Sequence, residues 1–178
     1  TFQHLGLENT GTIARIIVHP TDPKTVYVAA SGNEWSYNKE RGVYMTNDGG
    51  KTWKNILFVD DHTGCIDLAI DPSDPKIMYA SMWNRIRKRW SDPVPEDGDH
   101  IYKTVDGGKT WKIIGEGLPD TKLTGRIGLA VAYSNPNVVY AFVDDHHIKR
   151  DPLPGETDSY QRQVQKVVIG GVIYRSAD

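Results

Sequence analysis

The stretch TNDGGKTW, at residues 46–53, recurs almost unchanged as TVDGGKTW at residues 104–111. A third copy starts at residues 174–178, where YRSAD follows the same tyrosine-to-aspartate order that precedes both glycine pairs. Internal repeats indicate the architecture of a chain more strongly than any single segment does. The unit that contains these copies therefore decides the fold.

Each copy of this phrase has the composition of a tight turn between two β-strands. Its aspartate can accept hydrogen bonds from backbone N–H groups of the turn, and its glycines can adopt positive φ without steric cost. The threonine suits the start of a strand, and the tryptophan can pack between neighbouring sheets. The residues with these roles are Asp48, Gly50, Thr52 and Trp53, then Asp106, Gly108, Thr110 and Trp111, and finally Asp178. A calcium loop would need oxygen ligands at several alternate positions and a distal glutamate, so the pattern favours a structural turn.

The phrase belongs to a longer unit that also repeats. Three segments align, IARIIVHPTDPKTVYVAAS (13–31), CIDLAIDPSDPKIMYASM (65–82) and RIGLAVAYSNPNVVYAFV (126–143), and each has two apolar runs around a proline-containing break. After an insertion of variable length, a complete unit continues with a short run ending in tyrosine, the DGGKTW phrase and a further apolar run. Short runs rich in Val, Ile and Tyr between turn residues predict β-strands, so each complete unit should contain four strands.

The predicted fold is all-β, a β-propeller whose four-stranded antiparallel blades carry the DGGKTW turn between the third and fourth strands. Residues 1–178 are expected to form part of one propeller domain, with blade 1 at about 12–59, blade 2 at about 65–115 and an incomplete blade 3 at about 125–178. A closed ring normally takes at least about four blades. We therefore expect the partner of this piece to be either the rest of a parent propeller or further copies of itself.

Charge and composition exclude several classes of function. The chain has 21 Lys and Arg against 23 Asp and Glu, a net charge of −2, so no general basic surface predicts binding to nucleic acid. No apolar run is long enough to insert in a membrane. Cys65 is the single cysteine, which excludes an internal disulfide, and its place in an apolar strand predicts that it fills core.

The two complete phrases match the pattern Ser/Thr-x-Asp-x-Gly-x-Thr-Trp, and the chain therefore resembles the Asp-box, or BNR-repeat, β-propellers of sialidases, xyloglucanase-type glycoside hydrolases and the sortilin ectodomain. With GRIGLAV (125–131) and the paired proline turns included, it is most similar to bacterial sortilin-type BNR-repeat proteins, often labelled glycosyl hydrolases. The resemblance implies a secreted, periplasmic or cell-surface protein whose Asp-boxes are structural turns remote from any active site. The chain lacks the Phe-Arg-Ile-Pro segment of sialidases, which argues against sialidase activity. No position is matched to the catalytic aspartates of the xyloglucanase-type enzymes.

The two ends of the predicted sheets differ in their connections. In an antiparallel meander the connections alternate between the two ends, so the short proline turns and the DGGKTW turns share one end. The long and irregular connections, at about 31–41, 59–64, 83–99, 115–125 and 144–170, share the other end. Long loops on a rigid framework are where binding and catalytic residues concentrate, so we expect function at this long-loop end.

Aromatic and basic residues of the long loops are the candidates for ligand binding. They are Trp35, Tyr37, Trp83, Arg85, Arg87, Arg89 and Trp90. Aromatic rings beside polar groups suit sugar rings or peptide side chains, and guanidinium groups suit carboxylate, sulfate or phosphate. The alternatives are that each aromatic anchors its own loop, and that the basic run is a solvated segment paired with the acidic residues that follow it.

The pentapeptide FVDDH occurs twice, at 58–62 and 142–146, and both copies are expected at strand ends facing the long-loop end. If the two clusters approach each other, Asp60, His62, Asp144 and His146 could bind a divalent metal ion; no other cofactor is expected. The alternative is that two solvated strand ends share letters by chance. Asp60, Asp61, Asp144 and Asp145 are also the candidate catalytic carboxylates, since glycoside hydrolysis needs a pair about 5–5.5 Å or 6.5–9.5 Å apart.

Three functions follow from these observations. The first is an extracellular or cell-envelope binding module whose Trp- and Arg-rich loops hold a glycan or a peptide segment. The second is a glycoside hydrolase that uses paired carboxylates at the same end. The third is a structural scaffold within a larger envelope protein.

Overall fold

A computed structural model describes residues 1–87 and 98–177 of the chain. Its strands are β1 (Thr12–Val18), β2 (Val26–Gly32), β3 (Gly42–Thr46), β4 (Lys54–Leu57), β5 (Thr63–Ile70), β6 (Met78–Asn84), β7 (Ile101–Thr104), β8 (Lys112–Ile114), β9 (Thr124–Val131), β10 (Val139–Arg150) and β11 (Val167–Ser176). Short 3₁₀ helices lie at Glu8–Thr10 and Thr121–Leu123. Within the described residues, no helix has the length and apolar character needed to cross a membrane.

The strands form three antiparallel sheets in chain order. Sheet 1 has the order β1-β2-β3-β4, sheet 2 the order β5-β6-β7-β8, and sheet 3 contains β9, β10 and β11, with β10 in the centre. Every paired neighbour comes directly before or after its partner in the chain, as in a meander. The prediction of an all-β fold built from four-stranded antiparallel sheets is confirmed.

Two apolar clusters hold the sheets together. The first lies between sheets 1 and 2 and contains Tyr27, Ala29, Val43, Leu57, Cys65, Leu68, Met78, Ala80 and Met82. The second lies between sheets 2 and 3 and contains Ala69, Tyr79, Ile101, Ile127, Leu129, Val139, Ala141 and Val143. Sheet 2 therefore buries both of its faces, which a single four-stranded sheet cannot do alone. Cys65 is fully buried in the first cluster, as expected, and burial raises the pKa of its thiol.

The buried carboxylate of Asp67 links the first strands of the three sheets. Its Oδ1 accepts a hydrogen bond from Arg15 Nε of β1 at 2.8 Å, and its Oδ2 accepts one from the backbone N–H of Leu129 in β9 at 2.9 Å. The ion pair raises the pKa of Arg15. Ser81 Oγ adds a second link between sheets 2 and 3 by donating to the carbonyl of Ile127 at 2.7 Å. The stacking of the sheets thus depends on directional bonds as well as on apolar contact.

Each DGGKTW turn is covered by a side chain from outside its own sheet. A Cβ added at Gly108 would lie 2.6 Å from Cδ1 of Ile56, which belongs to β4 of sheet 1. A Cβ added at Gly50 would lie 2.9 Å from Cδ1 of Leu5, and the indole N–H of Trp53 donates to the Leu5 carbonyl at 2.7 Å. The segment around Leu5 lies outside the strands, yet it covers the first turn as β4 covers the second.

The third sheet departs from the prediction at its long connection. The sequence predicts a loop at 144–170, but β10 continues to Arg150 and pairs with β11 from Val167 onward, with register irregularities after Asp145. Residues 144–147 are therefore part of a strand and not a strand-to-loop exit. Aspartate is uncommon in strands, which is why the sequence predicts a loop there, but cross-strand pairing with β11 overrides that preference.

Candidate functional site

The long-loop end carries a pocket where all three sheets meet. The pocket has a volume of about 240 Å³ and receives residues from β1, β2 and the β2–β3 loop of sheet 1, from β5, β6 and the residue after β6 in sheet 2, and from β9 of sheet 3. The lining residues that carry its chemistry are Ser31, Glu34, Ile66, Trp83, Arg85 and Arg126. The DGGKTW turns lie at the opposite end of the sheets, because they connect β3 to β4 and β7 to β8.

Arg85 is held over the ring of Trp83. Its Cζ lies 4.5 Å from the ring centroid, a cation–π geometry that fixes the guanidinium at the pocket. Burial lowers the pKa of Arg85, and the nearby charges of Arg87 and Arg126 lower it further, whereas Glu34 acts in the opposite direction. One face of Trp83 is thus covered by a cation and is not an open platform for a ligand ring.

Glu34, Trp35 and Arg87 join the loops of sheets 1 and 2. Arg87 Nη1 donates to Glu34 Oε2 at 3.1 Å, and the backbone N–H of Arg87 donates to the Glu34 carbonyl at 2.6 Å. Cζ of Arg87 also lies 5.6 Å from the ring centroid of Trp35, which remains 59% exposed. The two loops therefore present their side chains as one surface.

Arg41, at the end of the β2–β3 connection, fixes the loop that carries Glu34 and Trp35. Its side chain is fully buried and donates to the carbonyls of Ser31 and Asn33, both at 2.6 Å, and of Ser36 at 3.0 Å. Burial lowers the pKa of Arg41, while the nearby Asp60 and Asp61 carboxylates partly offset that effect. A buried guanidinium thus supplies the donors that the irregular loop backbone needs.

The structure brings together some of the predicted ligand-binding residues but not all of them. Trp35, Trp83, Arg85 and Arg87 lie around the pocket, whereas Arg89 and Trp90 lie outside the described residues. Tyr37 stacks on His62 with the ring centroids 3.9 Å apart and the planes 12° from parallel, so it anchors its own loop to the β4–β5 connection.

Sequence reasoning missed Arg126 and did not assign Glu34 to ligand binding. The sequence does contain a feature that could have identified Arg126. When TGRIGLAV of β9 is aligned with TGCIDLAI of β5, this arginine takes the position that the buried Cys65 has in β5. A cation in an otherwise apolar first strand is unusual, and its position near the start of that strand brings it to the pocket.

The first predicted Asp-Asp-His cluster is held by local bonds. Asp60 Oδ1 accepts hydrogen bonds from the backbone N–H groups of His62 at 2.8 Å and Thr63 at 2.6 Å. Burial acts to raise the pKa of Asp60, but these hydrogen bonds outweigh it and the net pKa is lowered. Asp61 contacts the ring of His62 at 3.2 Å. The cluster closes the connection between β4 and β5.

The second cluster lies within β10. The ring of His146 is 3.0 Å from Asp144 Oδ2, and the ring of His147 is 2.7 Å from Asp145 Oδ1. Asp145 is buried, which acts to raise its pKa, but the backbone N–H and ring of His147 lower it on balance. Each aspartate therefore has a histidine partner two residues further along the same strand.

The two clusters do not combine into a metal site. In residues 1–87 and 98–177, no group of three or more His, Cys, Asp or Glu side chains is placed to hold a metal ion. Asp60 and His62 lie beside Tyr37 and the β2–β3 loop, whereas Asp144 and His146 lie against Gly125 of β9. The approach of the two clusters that the sequence suggests is not seen.

Two of the four candidate catalytic carboxylates do not have the raised pKa of a general acid. A general acid needs a raised pKa, whereas the pKa values of Asp60 and Asp145 are lowered. Among the described residues that line the pocket, Glu34 is the single carboxylate, and it is bonded to Arg87. Within residues 1–87 and 98–177, the pocket lining thus combines one paired carboxylate with the guanidinium groups of Arg85 and Arg126.

The chain is similar in sequence to parts of two larger proteins, and no protein-family model matches it. It is 26% identical over 128 residues to Xyloglucanase Xgh74A of Acetivibrio thermocellus, which covers 67% of this chain and 13% of that protein. It is 32% identical over 72 residues to the Dispase autolysis-inducing protein of Streptomyces mobaraensis, which covers 40% of this chain and 19% of that protein. The chain thus spans less than a fifth of the length of these relatives.

Solved structures with a similar fold are GH74 enzymes. The Niastella koreensis GH74 enzyme matches 93% of this chain with a TM-score of 0.58 at 19% identity, and the GH74 xyloglucanase from Xanthomonas campestris matches 93% with a TM-score of 0.57 at 18% identity. An ancestral GH74 enzyme matches 74% with a TM-score of 0.56 at 12% identity. These matches cover 21%, 20% and 17% of the respective chains. At such identities the likeness shows the fold alone: the three stacked sheets form a propeller-like fragment of the GH74 type.

Proposed function

We propose that the long-loop end of this chain binds a carbohydrate polymer, as one part of a larger secreted or cell-envelope β-propeller. The observation that carries the proposal is the pocket at the junction of the three sheets, with Arg85 fixed on Trp83 and with the exposed ring of Trp35 beside it. Sites that enclose a whole small ligand have volumes of roughly 300–1,000 Å³. The pocket, at about 240 Å³, suits one unit or substituent of a longer ligand that continues over the loops.

We further propose that the DGGKTW turns are Asp-boxes of the BNR type found in sortilin-like propellers. In both turns the aspartate accepts bonds from two backbone N–H groups and from two threonine hydroxyls, which supports a purely structural role. Such turns leave the opposite end of each sheet free for recognition.

Carbohydrate is favoured over peptide by two independent considerations. The relatives include a protein named as a xyloglucanase, and the solved structures of similar fold are GH74 enzymes. Trp35 offers a largely exposed ring beside charged groups, the combination that suits contact with the face of a sugar. A peptide ligand is the competing outcome of the binding experiment.

Glycoside hydrolysis is the second candidate, and the similarity to Xyloglucanase Xgh74A favours it. Its carboxylates could include Asp60, Asp61, Asp144 and Asp145. The lowered pKa values of Asp60 and Asp145 disfavour these two residues as the general acid but are compatible with a nucleophile or base. Binding is preferred because the pocket and the exposed ring of Trp35 support it directly. A scaffold without any ligand is the third candidate.

Affinity electrophoresis against a panel of soluble polysaccharides, including xyloglucan, tests the proposal. We expect slowed migration on at least one polysaccharide, and we expect Trp35→Ala to abolish it. The matched control is Tyr133→Ala, which removes an 86% exposed aromatic side chain from the β9–β10 turn at the other end. Unchanged migration on every polysaccharide would overturn carbohydrate binding, and equal loss in both variants would overturn the assigned location.

A reducing-sugar assay on the same panel separates binding from hydrolysis. Binding without sugar release supports the first candidate. Sugar release that disappears when Asp60, Asp61, Asp144 or Asp145 is replaced singly by alanine would establish hydrolysis as the function in place of binding alone.

A further inference from the structure

Charge in the pocket is unbalanced in favour of cations. Arg85, Arg87 and Arg126 approach one another closely enough to influence the pKa of Arg85, and Glu34 is the one carboxylate among the described lining residues. That carboxylate is bonded to Arg87 at 3.1 Å. Within the described part of the chain, Arg85 and Arg126 form no ion pair with any carboxylate. Within residues 1–87 and 98–177, two guanidinium groups thus line the pocket without a carboxylate bonded to either of them.

The position of Arg85 is fixed before any ligand arrives. Its guanidinium lies on Trp83, and it is partly withdrawn from water at the end of β6. Burial is the main cause of the lowered pKa of Arg85, and repulsion from Arg87 and Arg126 lowers it further. A bound anion would relieve the repulsion without rearranging the loops, because the ring of Trp83 already orients the guanidinium.

The remaining lining is neutral and small. Ile66 is buried at the base, Thr12 and Ala14 lie at the start of β1, and the hydroxyl of Ser31 donates to the Thr12 carbonyl at 3.2 Å. No described lining residue besides Glu34 would repel an anion. The volume of about 240 Å³ admits one charged group with the ring that carries it, and not a whole polymer segment.

We infer that this pocket recognises the carboxylate of an acidic sugar unit, with Arg85 and Arg126 as the residues that bind it. A guanidinium presents a planar fork of donors that matches a planar carboxylate in two parallel hydrogen bonds. The inference rests on the proposed function, because the carboxylate belongs to the carbohydrate bound at the long-loop end. It adds that the preferred polymer is acidic, whereas xyloglucan is neutral.

Calorimetric titration of the full chain with trigalacturonate, and with its methyl ester, tests this inference. We expect trigalacturonate to bind at least about tenfold more tightly than the ester, since hydrogen bonds between a guanidinium and a carboxylate are stronger than those to a neutral ester. Arg85→Ala and Arg126→Ala should each weaken trigalacturonate binding about tenfold, which would remove the preference for the acid over the ester. Lys112→Ala is the control, because it removes one positive charge from an exposed position on β8, at the far edge of sheet 2.

Two further variants distinguish recognition from a general effect on folding. Arg85→Lys keeps the charge but loses the fork, so it should lose most of the tenfold preference. Glu34→Gln removes the lining carboxylate and should strengthen trigalacturonate binding a few-fold, a gain that damage to the fold would not produce. Thermal unfolding of each variant verifies that the sheets remain intact.

The other possible outcomes would overturn either the inference alone or the proposed function with it. Equal binding of acid and ester, or normal binding by Arg85→Ala and Arg126→Ala, would overturn the inference and leave carbohydrate binding standing. Tighter binding of a sulfated galactan trisaccharide than of trigalacturonate would overturn the choice of carboxylate. Absence of binding to any saccharide, acidic or neutral, would overturn both the inference and the proposed function.

Discussion

The turn end and the long-loop end of the sheets differ in how their polar side chains are bonded. At the turn end, Thr46 Oγ1 donates to Asp48 Oδ1 at 2.7 Å and Thr104 Oγ1 donates to Asp106 Oδ1 at 2.8 Å, and the glycine N–H bonds to the same hydroxyls are 2.9 and 3.0 Å long. Two turns in different sheets thus repeat one network almost to the tenth of an ångström. The carboxylate oxygens of each aspartate accept their hydrogen bonds from residues of the same turn.

The long-loop end has no such repetition. The β2–β3 loop is held by the buried Arg41, whereas Arg85 and Arg87 near the end of β6 are held by Trp83, Glu34 and Trp35. Among the described residues there, Arg87 is paired with Glu34, whereas Arg85 is oriented by Trp83 without a bonded carboxylate. The comparison teaches that closure of the sheets and recognition of a ligand are separated in space, so each can be disrupted without the other.

The largest expected effect on the free energy of unfolding is that of replacing Arg41. Arg41→Leu would leave the carbonyls of Ser31, Asn33 and Ser36 without the donors of this buried guanidinium. We expect a loss of about 3 kcal/mol in the free energy of unfolding, since bonds from a charged donor are replaced by none. Urea unfolding measures it. Arg41→Lys keeps a charge without the fork and should recover only part of the loss; stability equal to that of the unchanged chain in Arg41→Leu would show that the loop does not need this side chain.

The next effect is at Asp67, which belongs to neither end but ties the sheets together. Asp67→Asn would weaken the bond to Arg15 and compromise the acceptor of the Leu129 N–H. We expect the free energy of unfolding to fall by about 2 kcal/mol, measured in the same urea titration. The double variant with Arg15→Ala should lose less than the sum of the two single changes, because both remove one interaction. A loss in the double variant equal to the sum of the two single losses would contradict an interaction between Arg15 and Asp67.

A smaller effect, with a defined pH dependence, is expected at the turn end. The hydroxyl and N–H of Thr110 and the hydroxyl of Thr104 lower the pKa of Asp106 to about 2. A carboxyl with a lowered folded-state pKa stabilises the fold above its unfolded value of about 3.9, and that contribution is lost as the pH falls toward 2. Asp106→Asn should therefore lower Tm by several degrees at pH 7, and the difference from the unchanged chain should disappear near pH 2.

The control for this pH experiment is Asp151→Asn, which changes an exposed aspartate in the β10–β11 loop. Its Tm should follow that of the unchanged chain across the whole range. A constant Tm difference for Asp106→Asn between pH 7 and pH 2 would mean that the ionised carboxylate is not what holds the turn.

The smallest stability effect is expected at Trp35. Its ring is 59% exposed, so Trp35→Ala should change the free energy of unfolding by no more than about 0.5 kcal/mol while removing carbohydrate binding. Urea unfolding and affinity electrophoresis on one preparation give both values. A large loss of stability would place Trp35 among the residues that hold the loops, and the separation between the two ends would then be weaker than described.

The sequence predicts the features that depend on neighbouring residues. The DGGKTW turns, the proline turns and the order of strands in sheets 1 and 2 follow from local chemistry, because Asp, Gly and Pro fix backbone geometry within a few residues. The same reasoning places Trp83 and Arg85 together, since one residue separates them. It does not reveal that the guanidinium covers the ring.

Features that depend on contact between distant segments could not be predicted. The Arg15–Asp67 pair, the bond from Asp67 to Leu129 and the presence of Arg126 in the pocket all join different sheets. The extension of β10 past Asp144 depends on pairing with β11, which local preference opposes. The two Asp-Asp-His pentapeptides left open whether they form a shared site or only two similar strand ends, because sequence does not give the distance between them. In the structure each cluster is bonded within its own loop or strand.

The contact between Leu5 and the first turn shows that the side chain that packs over a glycine pair does not have to come from a neighbouring sheet. An aliphatic side chain and one carbonyl, presented by a segment without strand pairing, are enough to cap Gly50 and satisfy Trp53. A segment outside the strands can therefore close such a turn in the way that the fourth strand of a neighbouring sheet closes the second one.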